Sequence, residues 1–393
     1  MGEKVKAAVM VAPGQLEVRE FPYPSVGEDA MLLKVELCGI CGTDKHSYRG
    51  ETKQYVGTNA EMSIPFPIIP GHEIVGTIIE VGKHANRAIK TYGQTINKGD
   101  RVVICPDIFC GRCYYCRNYS GFIWCDNMRT YGVSMSCTTP PHLFGGWAEY
   151  LYILPGTFVY KVPESISTTA AVLTEPMTVT YNLDKAKEFY SMSGDGFKTG
   201  DTVVIQGVGP LGLLHAIKAR MLGAGDIIAI DSSEFRLNMA KEFGVDVCLN
   251  IRSTTQKERI EAVKTMTHGI GADVVVECTG VPVAIKEGLA LVRKGGMYIV
   301  TGMFVDKGEI SINPHRDLCA KNIRLIGQTN HPPSGYLPSL KLMEKFAKFF
   351  PPFEKIVTHK FPLDRAAEAM DLSMNADLTM KVAIAPQAGK NKE

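Results

Sequence analysis

The sequence predicts an α/β chain in two parts: an irregular all-β domain, then a doubly wound parallel sheet. Three observations predict it. The 393 residues are too many for one small core and suit two domains of ordinary size. Up to about Pro176, short β-rich runs are divided by Gly and Pro, whereas from Asp201 onward apolar strand-like runs alternate with helix-length segments. No self-similarity at solenoid or propeller spacing competes with this division.

In the first part, Lys6–Met10, Met31–Val35, Ile74–Ile79 and Arg101–Ile104 are predicted strands, with turn signals at Pro70-Gly71 and Gly99-Asp100. The opening Met1–Lys6 lacks an apolar h-region and reads as the start of a strand, not a leader peptide. Strands this short and this often interrupted predict a partly closed barrel. In the second part, Thr202–Ile205, Asp226–Asp231, Asp246–Leu249, Ala272–Glu277, Gly296–Val300 and Asn322–Ile326 are near-continuous apolar runs, as in parallel sheets covered on both faces. Helices are expected over Leu211–Leu222 and up to Phe243. After about Gly327 the chain is expected to rejoin the barrel, end in a strand at Met380–Ile384, and fray over the polar tail Gln387–Glu393. The expected division is 1–177, 178–327 and 328–393.

Composition narrows the function. With 43 basic and 41 acidic residues the net charge is +2, and no long basic run marks a nucleic-acid surface. No stretch of about eighteen apolar residues marks a membrane span, so a cytoplasmic protein is expected. The 11 cysteines are odd in number and unevenly spread, which argues against a disulfide framework and for reduced thiols, some on metal. Cys248, Cys278 and Cys319 stand singly in apolar surroundings.

Three groups of residues carry chemistry. Gly207-Val208-Gly209-Pro210-Leu211-Gly212 fits G-x-G-x-x-G between a strand and a helix, where glycines permit a tight turn and close backbone approach to a pyrophosphate. Asp231 ends the next strand, placed to accept hydrogen bonds from an adenosine ribose; its charge repels a 2′-phosphate and favours NAD over NADP. Cys278, after the fourth strand, is expected near the dinucleotide as a small hydrophobe. Cys110-x2-Cys113-x2-Cys116-x8-Cys125 has the spacing of an all-cysteine tetrahedral zinc site, closed and therefore structural, with Cys105 a weaker competitor for a ligand place. Cys41, His72 and Glu175, from three distant segments, offer a thiolate, an imidazole and a carboxylate for a zinc that keeps one position open. Spacing alone leaves that third set undecided, since a lone histidine or glutamate has ordinary structural uses.

The strings Cys41-Gly42-Thr43-Asp44-Lys45-His46, Gly71-His72-Glu73, Gly145–Tyr150 and Glu175-Pro176, in this order with the cysteine lobe and the glycine loop, resemble the zinc-dependent medium-chain dehydrogenases. The resemblance covers nearly the whole chain. It implies a chaperonin-10-like catalytic barrel and a Rossmann domain with the active site between them. It further implies two Zn²⁺ per chain: one on Cys110, Cys113, Cys116 and Cys125, the other held by Cys41, His72 and Glu175 with Glu73 beside or on it. Thr43 and His46 take the places of a proton relay, and Arg236 that of a cofactor contact. A glutamate at 175, where simple alcohol dehydrogenases have cysteine, points to polyols, sugars, sugar acids or hydroxy amino acids as substrates. Simple alcohols, or a non-catalytic NAD- and zinc-binding sensor, are the alternatives. A homodimer or homotetramer is expected. Glu51–Ser63 and His84–Ile96 look inserted, and the Cys116–Cys125 spacer is one residue longer than usual. His215 is expected to pack, while Asn330-His331 is a candidate to approach the cleft.

Overall fold

A computed structural model describes residues 4–58, 61–119, 124–188 and 196–388. In the first part the strands are β1 Lys4–Ala12, β2 Gln15–Pro22, β3 Met31–Gly39, β4 Lys53–Gln54, β5 Met62–Ser63 and β6 Glu73–Val81. They are followed by β7 Arg101–Ile104, β8 Asp107–Ile108, β9 Arg129–Thr130, β10 Tyr150–Ile153 and β11 Val159–Lys161. Next come β12 Thr202–Gln206, β13 Asp226–Asp231, β14 Val247–Asn250, β15 Ala272–Glu277, β16 Val292–Val300 and β17 Arg324–Gly327. Two late strands, β18 Val357–Phe361 and β19 Lys381–Ile384, close the sequence of elements.

The seven-stranded sheet runs β11-β7-β6-β3-β19-β18, with β10 also paired to β3. β3 is its hub: Leu33 faces Ile78 on β6 and Leu151 on β10, while Gly39 lies opposite Ala383 on β19. Leu32, Leu33 and Val35 of this sheet are fully buried together with Val5, Ala7 and Val9 of the separate β1-β2 pair, all in one apolar core. Burying each Val or Leu side chain contributes about 1.5–3 kcal/mol. The late strands β18 and β19 enter this sheet, as the expected return of the chain requires.

The six-stranded sheet has the order β14-β13-β12-β15-β16-β17, and every pairing in it is parallel. Side chains of period two separate its faces. Val204, Ile228, Val275 and Tyr298 enter one core, while Val203, Ile205, Ile227, Ala229, Val274 and Val276 enter another. That second core continues into the barrel through Leu37, Val75, Val103 and Tyr160, whose ring stacks on Tyr336 at 4.8 Å. The strand order reverses between β12 and β15, which opens a crevice at the carboxyl ends of these strands.

All six predicted strands of this sheet form, two with the predicted bounds and four with ends shifted by up to four residues. The first helix spans Pro210–Met221 and the second ends at Glu242. Other expectations need correction. No α-helix joins β16 to β17; the segment has Gly302, Gly308 and Pro314, which interrupt helix, and it carries only a π-helical turn at Pro314–Leu318. Cys319 is exposed instead of apolar-packed, because it sits on that irregular connection. Gln387 is not frayed: its amide donates to the carbonyls of Val35 and Glu149. The rest of the tail, 389–393, lies outside the described residues.

Candidate active site

Cys41 precedes the helix Gly42–Tyr48 at its N-cap. Asp44, on the first turn, accepts from the Cys41 N–H at 2.8 Å and from the Gly71 N–H at 3.3 Å, so one buried carboxylate ties together two segments far apart in sequence. Gly71 is obligatory there. Its φ is +91°, and a Cβ would stand 2.3 Å from the Trp147 ring. His72, next in the chain, is buried within hydrogen-bonding reach of Cys41, and its Nδ1 has no partner, with Asp44 Oδ1 3.9 Å away. Burial opposes charge on this imidazole, but Cys41 and Asp44 outweigh it and hold the His72 pKa well above the usual value.

Glu73 opens β6 and Lys381 opens β19, on either side of β3; their buried side chains form an ion pair. Lys381 reaches Glu73 Oε1, which leaves Oε2 buried without a partner. Glu175 lies in the helix Thr174–Val179, is 8% exposed, and has its pKa pushed up to about 8 by burial. His331 Nδ1 stands 3.5 Å from Glu175, and its Nε2 pairs with the Tyr336 hydroxyl at 2.9 Å. Burial drives the His331 pKa down to about 3, so this ring is neutral. Thr43 Oγ1 lies 3.8 Å from Cys41 Sγ, and His46 is hydrogen-bonded through Nδ1 to Glu51.

The opposite wall belongs to the parallel sheet. Gly207 follows β12 with φ +83°, where a Cβ would lie 2.8 Å from Thr279. The Val208 N–H donates to Asp231 Oδ2 at 2.8 Å and the Ser233 N–H to Oδ1 at 2.9 Å, so Asp231 braces the turn while facing the crevice. Val208 is fully buried and its N–H is taken by Asp231, so it shapes the turn without lining the cavity. A Cβ on Gly209 would point at Arg236, 3.2 Å away, and Arg236 itself donates to the Thr379 carbonyl at 3.3 Å. One cleft of about 720 Å³ is lined by Cys41, Thr43, His46, His72, Glu73 and Glu175 on one side, and by Gly207, Gly209–Gly212, Asp231 and Arg236 on the other. All the predicted residues except Val208 and the cysteine lobe therefore line a single cavity.

The lobe is separate. The sulfurs of Cys110, Cys113, Cys116 and Cys125 lie within 4.8 Å of one another. Backbone N–H groups point at them: Cys110 N to Cys125 Sγ at 3.3 Å, Cys113 N to Cys110 Sγ at 3.4 Å. Such donors stabilise thiolates, and the donor set fits a closed tetrahedral zinc. Cys105 is fully buried outside this group. In the cleft, a thiol, an imidazole and a carboxylate, with His72 Nδ1 and Glu73 Oε2 unsatisfied, make a donor set that also suits zinc.

Sequence reasoning missed several cleft residues. Asp44 was read only as part of a string, and Lys381 only as a strand residue. Asp107 was unremarked; it accepts from Thr130 Oγ1 at 2.6 Å and from Asn330, beside Glu175. No spacing rule links Glu73 to Lys381 across 308 positions. The one available signal was a lysine beginning an otherwise apolar strand.

Comparison with known proteins closes the case for the class. Residues 27–164 match the alcohol dehydrogenase GroES-like domain, and residues 210–344 match the zinc-binding dehydrogenase domain. The chain is 31% identical to 5-exo-hydroxycamphor dehydrogenase of Pseudomonas putida over 93% of its length and 95% of the relative's. It is 32% identical to sorbitol dehydrogenase of Bacillus subtilis, covering 79% and 78%. The crystal structure of an alcohol dehydrogenase from Thermotoga maritima superposes with a TM-score of 0.86 at 32% identity, covering 98% of this chain and 100% of that one. The chain belongs to the zinc-dependent medium-chain dehydrogenase family. It is an oxidoreductase: a zinc-containing, nicotinamide-linked dehydrogenase acting on the CH–OH group of small-molecule alcohols. Among the described residues no helix is long and apolar enough to cross a membrane.

Proposed function

We propose that this enzyme moves a hydride between a secondary hydroxyl of a small polyhydroxy substrate and NAD. The observation that carries the reading is the meeting of Cys41, His72 and Glu175 with the Gly207–Gly212 loop on one cleft. Two zincs per chain are proposed, on Cys110, Cys113, Cys116 and Cys125 and on Cys41, His72 and Glu175, with Glu73 approaching the latter. Bound in the cleft, zinc supplies a Lewis acid that makes a substrate hydroxyl acidic, and the nicotinamide supplies the hydride acceptor. Thr43 and then His46 carry the released proton away; both line the cleft. Lys381 pairs with Glu73 and so governs how much of that carboxylate's charge is offered to the metal. Asp231 selects NAD over NADP by charge, and Arg236 beside Gly209 faces the cofactor phosphates. Gln54, Asp107, Thr130 and Asn330 give the substrate end hydrogen-bonding groups, which favour a second hydroxyl.

A bulkier apolar secondary alcohol is the second reading, favoured by Met62, Met128, Val133 and Phe304, which line the same cavity. The division at 1–177, 178–327 and 328–393, a homodimer or homotetramer, and a cytoplasmic location complete the proposal. Rates of NAD reduction over polyols, sugars and apolar secondary alcohols test it. Activity on polyols that is lost in Cys41→Ser supports the first reading; activity only on apolar alcohols supports the second. No oxidation of any alcohol by zinc-replete protein overturns both.

A further inference from the structure

The segment after the helix Gly42–Tyr48 does more than frame the substrate opening. Glu51, its first residue, ion-pairs through Oε2 with His46 Nδ1 and through Oε1 with Lys307 Nζ. Lys307 lies on the helix-free connection after β16, so one carboxylate joins the barrel to the sheet domain across the cleft. Aromatic contacts reinforce the junction. Phe304 lies 6.3 Å from the His46 ring and 6.1 Å from Tyr55, which follows β4. Gln54, Tyr55, Met62 and Phe304 then line the cavity beside His46.

We propose that Glu51 is a positioning residue for proton release: it fixes the tautomer and the orientation of His46, and Lys307 keeps it ionised and tied to the opposite wall. The proposal rests on His46 being the relay. Because the Nδ1–H donates to Glu51, the lone pair stands on Nε2, the nitrogen free to take a proton. On alcohol oxidation, the proton leaving the substrate hydroxyl passes through Thr43 to His46 Nε2. The imidazolium is held by the Glu51 carboxylate until water removes a proton, while the hydride goes to NAD; charge and atoms balance as alcohol plus NAD⁺ gives ketone, NADH and H⁺.

Electrostatics support the assignment. Burial pushes the Glu51 pKa up, but hydrogen bonds from Lys307 and His46 outweigh it and hold the carboxyl below its usual range. Glu51 pairs with His46 and Lys307 pairs with Glu51, while Lys45 and Arg49 line the same cavity; Tyr55, with a pKa pushed up to about 12 by burial, stays neutral.

The test is the pH profile of kcat/KM for alcohol oxidation, paired with ¹⁵N-imidazole NMR of His46, in wild type, Glu51→Gln, Lys307→Met and His46→Gln. Glu51→Gln puts an amide where the carboxylate stood, so it mixes the two His46 tautomers and lowers kcat about ten-fold or more with KM little changed. Lys307→Met leaves the carboxylate on Nδ1, so it keeps the wild-type tautomer with a smaller loss of kcat. A tautomer change in one folded variant and not in the other excludes a merely structural role. An unchanged tautomer and unchanged kcat in Glu51→Gln overturn the proposal. An acid limb that survives in His46→Gln instead overturns the relay on which it rests.

Discussion

The two places suited to zinc are built in opposite ways. In the cysteine lobe, four thiols fall within sixteen consecutive residues, from Cys110 to Cys125, and their sulfurs gather through local turns and N–H···S bonds. In the cleft, Cys41, His72 and Glu175 come from a helix N-cap, the segment just before β6 and a second helix, in different parts of the chain. They are brought together by Asp44, by Gly71 under Trp147, and by the barrel itself. Three of the lobe's four cysteines are only half-buried, whereas His72, Glu73 and Glu175 of the cleft are buried.

That contrast yields an ordered set of expectations. Cys41→Ser should remove the cleft zinc alone and abolish alcohol oxidation with little change in circular dichroism, measured by metal analysis and NADH absorbance. If activity survives, the cleft is not the metal centre. Next, Lys381→Met leaves Glu73 charged and buried, and should lower folding stability by about 3–5 kcal/mol in denaturant unfolding. Lys381→Met with Glu73→Gln together should recover much of this, since the uncompensated charge is gone.

Cys110→Ser should act the other way from Cys41→Ser: the lobe zinc is lost and the thermal midpoint falls, while kcat/KM of the surviving folded enzyme stays within a few-fold. A large loss of kcat/KM at unchanged stability would break the division of labour. Asp231→Ala should weaken NAD binding by roughly ten-fold, about 1.4 kcal/mol, and narrow its advantage over NADP, as isothermal titration would measure. The smallest effect concerns Lys45, which lines the cleft and donates to the Ser373 carbonyl at 2.7 Å. Burial, with Lys381 and Arg236 nearby, brings its pKa down to about 8. The folded state thus binds this proton less tightly than the unfolded chain, so stability rises as pH climbs from about 8 toward the ordinary lysine value. Lys45→Met should flatten that slope and raise the midpoint at pH 7 by a few degrees.

What the sequence discloses follows the same contrast. The lobe, the glycine loop and the six parallel strands are local patterns, and each is readable because its chemistry repeats at short spacing. Cys41, His72 and Glu175 could be joined only through the resemblance, because their convergence is a property of β3 and β6 pairing and of the Asp44 tie. Asn330-His331 is expected near the cleft and lines it, whereas Lys381 and Asp107 were not legible as site residues. Each of the latter two is an ordinary strand residue whose partner lies more than twenty positions away. The connection from β16 to β17 misled for a different reason: its length suits a helix, but its glycines and proline do not.

The central claim is a zinc-centred dehydrogenase cleft distinct from a structural lobe. Anomalous scattering at the zinc edge from a crystal of the full chain tests it most directly. The account predicts two peaks per chain, one among Cys110, Cys113, Cys116 and Cys125 and one among Cys41, His72 and Glu175. A single peak in the lobe, or a second peak away from those three side chains, would contradict it.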